Sequence, residues 1–142
     1  MTDCPAHAGT VLHVSVRAIR GATQIDVDET EHLLERTAEL MQAVLKRNDL
    51  VSDDVISIFL TATPDVRSAF PAAAVRALGI TDVPLICAQE LNIEGAMPRV
   101  IRMLAHVDTA LPRSEIKHVY MHGTTKLRDD LSDDTAGATP PA

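Results

Sequence analysis

The stretch DVISIFLTAT, residues 54–63, decides the fold, and it is too continuously apolar to lie half exposed at a protein surface. A short apolar run of this kind predicts a central strand that is covered on both faces. Pro64 follows and ends the strand, because proline has no backbone N–H to donate within a sheet.

A first strand is expected before the apolar run 54–63, over about residues 12–21. Strand side chains alternate between two faces, so Arg20 ends a row of small and aliphatic residues on one face. Arg17 lies on the other face, beside Ser15, and can be solvated. A guanidinium on an apolar row needs an anion nearby, and the same holds for Arg102, which interrupts a later apolar strand.

The clearest helix is DVDETEHLLERTAELMQAVLKRNDL, residues 26–50. Asp28 or Thr30 can cap its start, and Lys46 and Arg47 suit its last turn. Its apolar residues recur every three or four positions and predict one buried stripe. The stripe consists of Leu33, Leu34, Thr37, Leu40, Met41, Val44 and Leu45.

Shorter elements follow the central strand. FPAAAVRALG, residues 70–79, predicts a short helix that has Pro71 in its first turn and Gly79 as its stop. The next strand is expected from Val83 to about Gln89, with Glu90 just beyond it. Strict alternation favours a strand over a helix for RVIRMLAHV, residues 99–107.

The last elements are PRSEIK, residues 112–117, and KHVYMHG, residues 117–123. The first predicts a helical turn, and the second a final strand with His118, Tyr120 and His122 on one face. The complete order is β-α-β-α-β-β, a short helical turn and β. This order predicts an α+β domain in which helices back a mixed sheet on one side.

Length and composition describe one globular domain of 142 residues that is 46% hydrophobic and has a net charge of −7. We expect a flexible leader over 1–12, the domain over 13–128 and a mobile acidic tail over 129–142. The charge argues against nucleic acid as a partner, and no apolar run approaches the ~20 residues of a membrane span. Cys4 and Cys87 are too few for a disulfide framework, which favours a reducing cytoplasm.

The common catalytic templates are missing from the sequence, including the nucleophile elbow, the zinc-protease motif and the glycine-rich phosphate loop. The polar candidates are residues at the ends of elements or within apolar strands: Arg20, Arg76, Glu90, Arg102, Tyr120 and Arg128. Taken alone, four of them are also compatible with an ordinary structural role: Arg76, Glu90, Tyr120 and Arg128. Arg20 and Arg102 are the exceptions, because both lie in apolar strands and need an anion nearby. Cys87 is by default a small buried hydrophobe, and the pair His118 and His122 fits exposed strand histidines better than a metal site.

Several segments together resemble the monofunctional chorismate mutases of the AroH class. These segments are IRGAT at 19–23, TATPDVRSAFPAAAVR at 61–76, VPLICAQE at 83–90, IRMLAHV at 101–107, IKHVYM at 116–121 and LRDDLS at 127–132. The resemblance covers about 16–132. It implies the rearrangement of chorismate to prephenate for phenylalanine and tyrosine synthesis, by a homotrimeric pseudo-barrel with active sites between subunits.

The implied reaction is a pericyclic [3,3] shift, so no nucleophile, metal or cofactor is expected. The resemblance implies that Arg102 donates to the ether oxygen and a carboxylate, and that Arg20 and Tyr120 bind the side-chain carboxylate. It implies that Glu90 accepts from the ring hydroxyl, which Cys87 also meets. The other implied contacts are Phe70, Ala72, Leu85 and Ile86 in the pocket, Arg76 and Arg128 near its mouth, and Leu127 at the lid.

Two positions depart from the family pattern. Ala73 stands where the family often has lysine, and Ile86 where it often has threonine. Loss of a cation at the rim predicts weaker, salt-dependent attraction of an anionic substrate and a higher KM, with the chemistry largely intact.

Two other functions are alternatives to the chorismate mutase hypothesis. One is an enamine/imine deaminase of the RidA type, which has a similar trimeric fold and an arginine that binds carboxylates. The other is a non-catalytic trimeric sensor of small carboxylates, which would not need Arg102 and Glu90 together. The joint presence of these two residues and the order of the motifs favour the mutase.

Overall fold

The structure is a computed structural model that describes residues 13–127. The expected leader, Arg128 and the expected acidic tail lie outside the described residues. Within the described range, no helix is long and apolar enough to span a membrane.

Five strands and two α-helices make up the described part of the chain. The strands are β1 Ser15–Gln24, β2 Val55–Ala62, β3 Leu85–Gln89, β4 Val100–Thr109 and β5 Val119–Tyr120. The helices are α1 Thr30–Arg47 and α2 Ala72–Ala77, and three short 3-10 turns lie at Ser52–Asp54, Arg113–Glu115 and His122–Lys126. The predicted order of elements is confirmed, including the strand over RVIRMLAHV and the helical turn in PRSEIK.

The five strands form one mixed sheet in the order β3-β2-β4-β1-β5. Strand β4 is antiparallel to both β1 and β2, whereas β3 runs parallel to β2 and β5 runs parallel to β1. The expected α+β mixed sheet is therefore confirmed, and β4 is its middle strand.

One face of the sheet packs against the helices and forms the core. The helix α1 buries the predicted stripe, with Leu34 and Leu45 at its partly buried margin. Alternate residues of β4 belong to the same buried cluster. Each fully buried aliphatic side chain contributes about 1.5–3 kcal/mol. The largest fully buried side chains are Ile19, Ile25, Leu33, Leu40, Met41, Ile58, Leu60 and Ile101.

The other face of the sheet is open within one chain, which corrects the expectation for 54–63. Ile58 and Leu60 are buried against the helices, but Phe59 between them is 44% exposed. The row that ends in Arg20 lies on this open face as well, and its member Val16 is 58% exposed. Helix α1 covers only one face of β1, and that face carries the buried Ile19.

The start of α1 also differs from the expectation. Its N-cap is Glu29, with no hydrogen bond from a capping side chain. Asp28 instead accepts hydrogen bonds from the backbone N–H groups of Arg67 and Ser68, at 2.8 and 3.2 Å. The Thr30 hydroxyl donates to the Ser68 carbonyl oxygen. Both candidate caps therefore serve a tertiary contact with the loop that leads to α2.

The ends of two strands were predicted wrongly. Strand β1 continues to Gln24, beyond the expected end at Gly21. Strand β5 contains only Val119 and Tyr120, because His122 has a φ of 55° and begins a 3-10 turn. The three-residue face of His118, Tyr120 and His122 therefore does not form.

Candidate active site

Sheet register places two of the predicted residues, Arg102 and Tyr120, in one row on the open face. Arg102 on β4 lies directly opposite Thr61 on β2 and Ala22 on β1, and Ala22 lies opposite Tyr120 on β5. Residues that are paired in this way share one face of a sheet. The row therefore puts the Arg102 guanidinium between a hydroxyl on one side and the Tyr120 phenol on the other, with fully buried Ala22 leaving room between them.

Arg20 lies on the same open face, two residues before Ala22. It is paired with Leu104 of β4. The backbone N–H of Arg20 donates to Nδ1 of His118 at 2.9 Å, so that nitrogen carries no proton. This bond fixes the main chain that carries the Arg20 side chain.

A cavity of about 290 Å³ on the open face collects these side chains. Its lining residues are Arg20, Gly21, Phe59, Thr61, Arg102, Met103, Leu104 and Tyr120. Two guanidinium groups and a phenol hydroxyl face an apolar wall, and no carboxylate is among these lining residues. A concave site of this composition fits a small apolar molecule that carries carboxylates.

Glu90 reaches the edge of this cavity from the end of β3. Its backbone N–H donates to the Ala62 carbonyl oxygen at 2.9 Å, so the chain continues beside β2 after the strand. Its Oε1 accepts from the Thr61 hydroxyl at 2.6 Å and lies 3.0 Å from Nε of Arg102. The Glu90 and Arg102 side chains are 25% and 44% exposed, so their ion pair adds little to stability. The ion pair matters for geometry rather than for stability, because it holds a positive and a negative charge at defined positions beside the cavity.

A second group of predicted residues lies at the edge of the sheet formed by α2 and β3. A cavity of about 330 Å³ there is lined by Phe70, Ala72, Arg76, Leu85, Ile86 and Cys87. Phe70 and Ile86 are large apolar residues that are 73% and 58% exposed. None of these six residues lines the cavity that contains Arg102. Most of the predicted site residues within one chain therefore lie around two separate cavities.

The remaining predicted residues lie outside both cavities. Ala73 is partly buried on α2, and Leu127 is partly buried just after the last 3-10 turn. Within residues 13–127, no group of three or more His, Cys, Asp or Glu side chains could hold a metal ion.

Asp28 helps to position the segment before Phe70. Partial burial alone would raise the pKa of its carboxyl group. The nearby Ser68 hydroxyl, the N–H groups of Arg67 and Ser68 and the Arg67 charge outweigh that effect and hold the pKa below its usual 3.8. The ionised form therefore anchors the loop that carries Phe70.

Residues 16–131 match the family model described as chorismate mutase type I. The chain belongs to this family. It is 40% identical over 118 residues to chorismate mutase AroH of Bacillus subtilis, covering 82% of this chain and 93% of that one. It is also 40% identical over 117 residues to chorismate mutase AroH of Thermus thermophilus, covering 82% of this chain and 96% of that one.

A solved structure supports the same assignment. A chorismate mutase from Clostridium thermocellum superposes with a TM-score of 0.77 at 37% identity, covering 78% of this chain and 98% of that one. The predicted resemblance is confirmed, and the protein is a chorismate mutase, an isomerase. The match favours this function over the deaminase and the sensor.

Residues around the site of this chorismate mutase that the sequence does not predict include Phe59, Thr61, Leu104 and His118. Thr61 and Phe59 lie within the apolar run 54–63, where the expectation of two covered faces hid their alternation. A polar residue at an alternate position of that run is the signal that could have identified Thr61. The sequence predicts an exposed strand histidine at His118, and its contact with Arg20 depends on pairing between β1 and β5.

Proposed function

We propose that this chorismate mutase rearranges chorismate to prephenate, for aromatic amino acid synthesis, in a cleft shared by two subunits of a homotrimer. The observation that carries the proposal is the fixed pair of Arg102 and Glu90 beside a cavity lined by Arg20 and Tyr120. The ether C–O bond breaks as the new C–C bond forms within one molecule, so no proton or electron is exchanged. The chain then needs only to orient the substrate and to stabilise charge.

Charge develops in this reaction at two places. The ether oxygen becomes more negative as its bond lengthens, and the ring fragment becomes more positive. In the proposal Arg102 donates to the ether oxygen and a carboxylate, and its rigid fork suits that double task. Glu90 accepts from the ring hydroxyl and places negative charge near the electron-poor ring. The 3.0 Å contact between Arg102 and Glu90 supports the proposal that both charges are in place before the reaction starts.

Orientation is assigned to the other polar groups of the same cavity. Arg20 and Tyr120 bind the side-chain carboxylate and fold the enolpyruvyl group over the ring. The apolar wall formed by Phe59 and Leu104 excludes water from the reacting face. Holding the reactive chair-like shape supplies an entropic part of the rate enhancement.

The second half of the cleft comes from the neighbouring subunit in this proposal. Phe70, Ala72, Leu85 and Ile86 line the far wall, with Cys87 near the ring hydroxyl. Arg76 is proposed to guide the ring carboxylate at the mouth, and Leu127 to close the site. The same guiding role is proposed for Arg128, which lies outside the described residues. Exposed apolar side chains on both halves, including Phe59, Phe70 and Ile86, support their burial against further copies of the chain.

A complementation experiment tests the shared cleft. Arg102→Ala and Arg76→Ala each disable one half, so each homotrimer has low kcat/KM with chorismate. When equal amounts of the two variants are mixed and refolded, about one cleft in four has both arginines intact. We therefore expect about a quarter of the wild-type kcat/KM, followed by the loss of chorismate absorbance.

The double variant with both changes in one chain is the matched control. Mixing it with either single variant leaves every cleft defective, so its activity stays at the level of the parents. Light scattering should give three times the 15.3 kDa mass of the chain. A monomer, or a mixture that regains nothing, contradicts the shared cleft.

We also propose a cytoplasmic location, which a free thiol at Cys87 supports. Cell fractionation followed by immunoblotting tests it, and recovery in a secreted or membrane fraction contradicts it.

A further inference from the structure

Thr61 is the residue that ties the Glu90 carboxylate to the sheet. Its hydroxyl donates to Glu90 Oε1 at 2.6 Å, and Nε of Arg102 lies 3.0 Å from the same oxygen. The Glu90 backbone is bound to Ala62 of the same strand. Within residues 13–127, both side-chain contacts of the carboxylate thus fall on Oε1, and Oε2 remains for a ligand.

The sheet geometry makes Thr61 a stiff anchor. It lies directly opposite Arg102 in the register of β2 and β4. A β-branched side chain in a strand has few accessible χ1 rotamers, so its hydroxyl points in a defined direction. The short hydrogen bond to a charged acceptor belongs to the stronger class.

The anchor also limits how Arg102 and Glu90 can pair. Arginine and a carboxylate prefer a two-point contact in which two donors of the guanidinium meet both oxygens. In the structure the contact uses Nε and Oε1, and the Thr61 hydroxyl occupies the same oxygen. A carboxylate held in this way cannot turn to face the whole guanidinium. The terminal nitrogens of Arg102 then stay available for the ether oxygen.

We propose that Thr61 is a positioning residue of the mutase, which anchors Oε1 of Glu90 so that Oε2 meets the substrate and Arg102 keeps donors for the transition state. This role rests on the function proposed above for Glu90. Without the hydroxyl, Glu90 turns toward Arg102 and neutralises the donors that the breaking bond needs. The loss then falls mainly on kcat, because those donors act most strongly on developing charge.

The test compares Thr61→Val and Thr61→Ser, each in the wild-type chain and in the Glu90→Gln variant. Valine keeps the branched shape without the hydroxyl, and serine keeps the hydroxyl. Thr109→Val is the matched control, because Thr109 is a strand threonine of β4 whose hydroxyl accepts from the backbone of Leu111. Steady-state rates of chorismate loss give kcat and KM, and thermal unfolding checks the fold.

We expect Thr61→Val to lower kcat about 10- to 100-fold with KM within about threefold, as for the loss of a hydrogen bond to a charged group. Thr61→Ser should return kcat to within about threefold of wild type, and Thr109→Val should leave it unchanged. In the Glu90→Gln background the loss caused by Thr61→Val should shrink below about threefold, because the two changes remove one interaction. Thr61→Ala should reproduce the loss if the valine variant does not fold.

Two results overturn the positioning role while leaving the proposed function in place. One is that the wild-type enzyme is active and the Thr61→Val variant has the same kcat. The other is an undiminished loss in the Glu90→Gln background, which would mean that Thr61 acts without Glu90. A folded wild-type chain that does not convert chorismate refutes the proposed function, and the positioning role falls with it.

Discussion

Replacing Arg102 with alanine removes the group on which the proposed mechanism depends most. The side chain is 44% exposed and extends from the open face of the middle strand β4. Its backbone pairing with Thr61 and Ala22 does not involve the guanidinium. Arg102→Ala therefore deletes a charge and its donors while leaving the sheet intact, and Thr61 still holds the Glu90 carboxylate.

The effects on activity and on stability should differ greatly in size. Removing one preorganised donor to developing negative charge typically costs ~2.7–4 kcal/mol, which is ~10²–10³ in kcat. The half-exposed ion pair with Glu90 contributes about 0–1 kcal/mol to folding, so Tm should fall by at most about 5 °C. A large fall in kcat with a small fall in Tm is the signature of a catalytic group.

The assay is the loss of chorismate absorbance at saturating substrate, with Tm measured on the same samples. Arg36→Ala is the control, because Arg36 also pairs with a carboxylate, Asp26, at 2.9 Å and donates to the Gln24 carbonyl. It lies away from the cavity, so kcat should be unchanged although Tm falls. Arg102→Lys should be intermediate, since it keeps the charge and loses the fork. An Arg102→Ala enzyme with kcat within about fivefold of wild type would refute the assigned role.

Three further changes test separate parts of the site. Glu90→Gln keeps an acceptor for the ring hydroxyl but loses the charge, so kcat should fall about tenfold or more while KM changes little, and an unchanged kcat would contradict the electrostatic role. Ala73→Lys restores a cation on α2 and should raise kcat/KM a few-fold at low salt, and a gain that persists in high salt would argue against electrostatic guidance. Asp28 has a lowered pKa in the folded chain, so its stabilisation is complete above pH 3.8 and is lost as the pH falls through the still lower folded value. The Tm advantage of wild type over Asp28→Asn should therefore shrink between about pH 7 and pH 3, and an equal advantage at both would show that the carboxylate charge contributes nothing.

Local periodicity carried most of the fold prediction. The alternation of Ile101, Met103, Ala105 and Val107 identified β4 as a strand, and all four residues are buried. The stripe on α1 is buried as its spacing required. Both patterns depend on residues a few positions apart, which share a face whatever the rest of the chain does.

The errors lie where tertiary contacts override local preference. Asp28 has a good capping side chain, yet it binds the loop at Arg67 and Ser68, some 40 residues away in the chain. The segment 54–63 was expected to be covered on both faces, and within one chain it is covered on one. An apolar composition shows that a face avoids water, but it does not show whether a helix or another copy of the chain covers it.

The sequence by itself determined the order of the elements, the face of α1 that is buried, and, through its ordered motifs, membership of the chorismate mutase family. Only the tertiary structure decided that Thr61, Glu90 and Arg102 meet at one carboxylate oxygen, and that Phe70 and Arg76 lie around a separate cavity. The physical reason is the range of the interactions. Periodicity acts between near neighbours in the chain, whereas the register that joins β2, β3 and β4 is set by packing among segments that are distant in sequence.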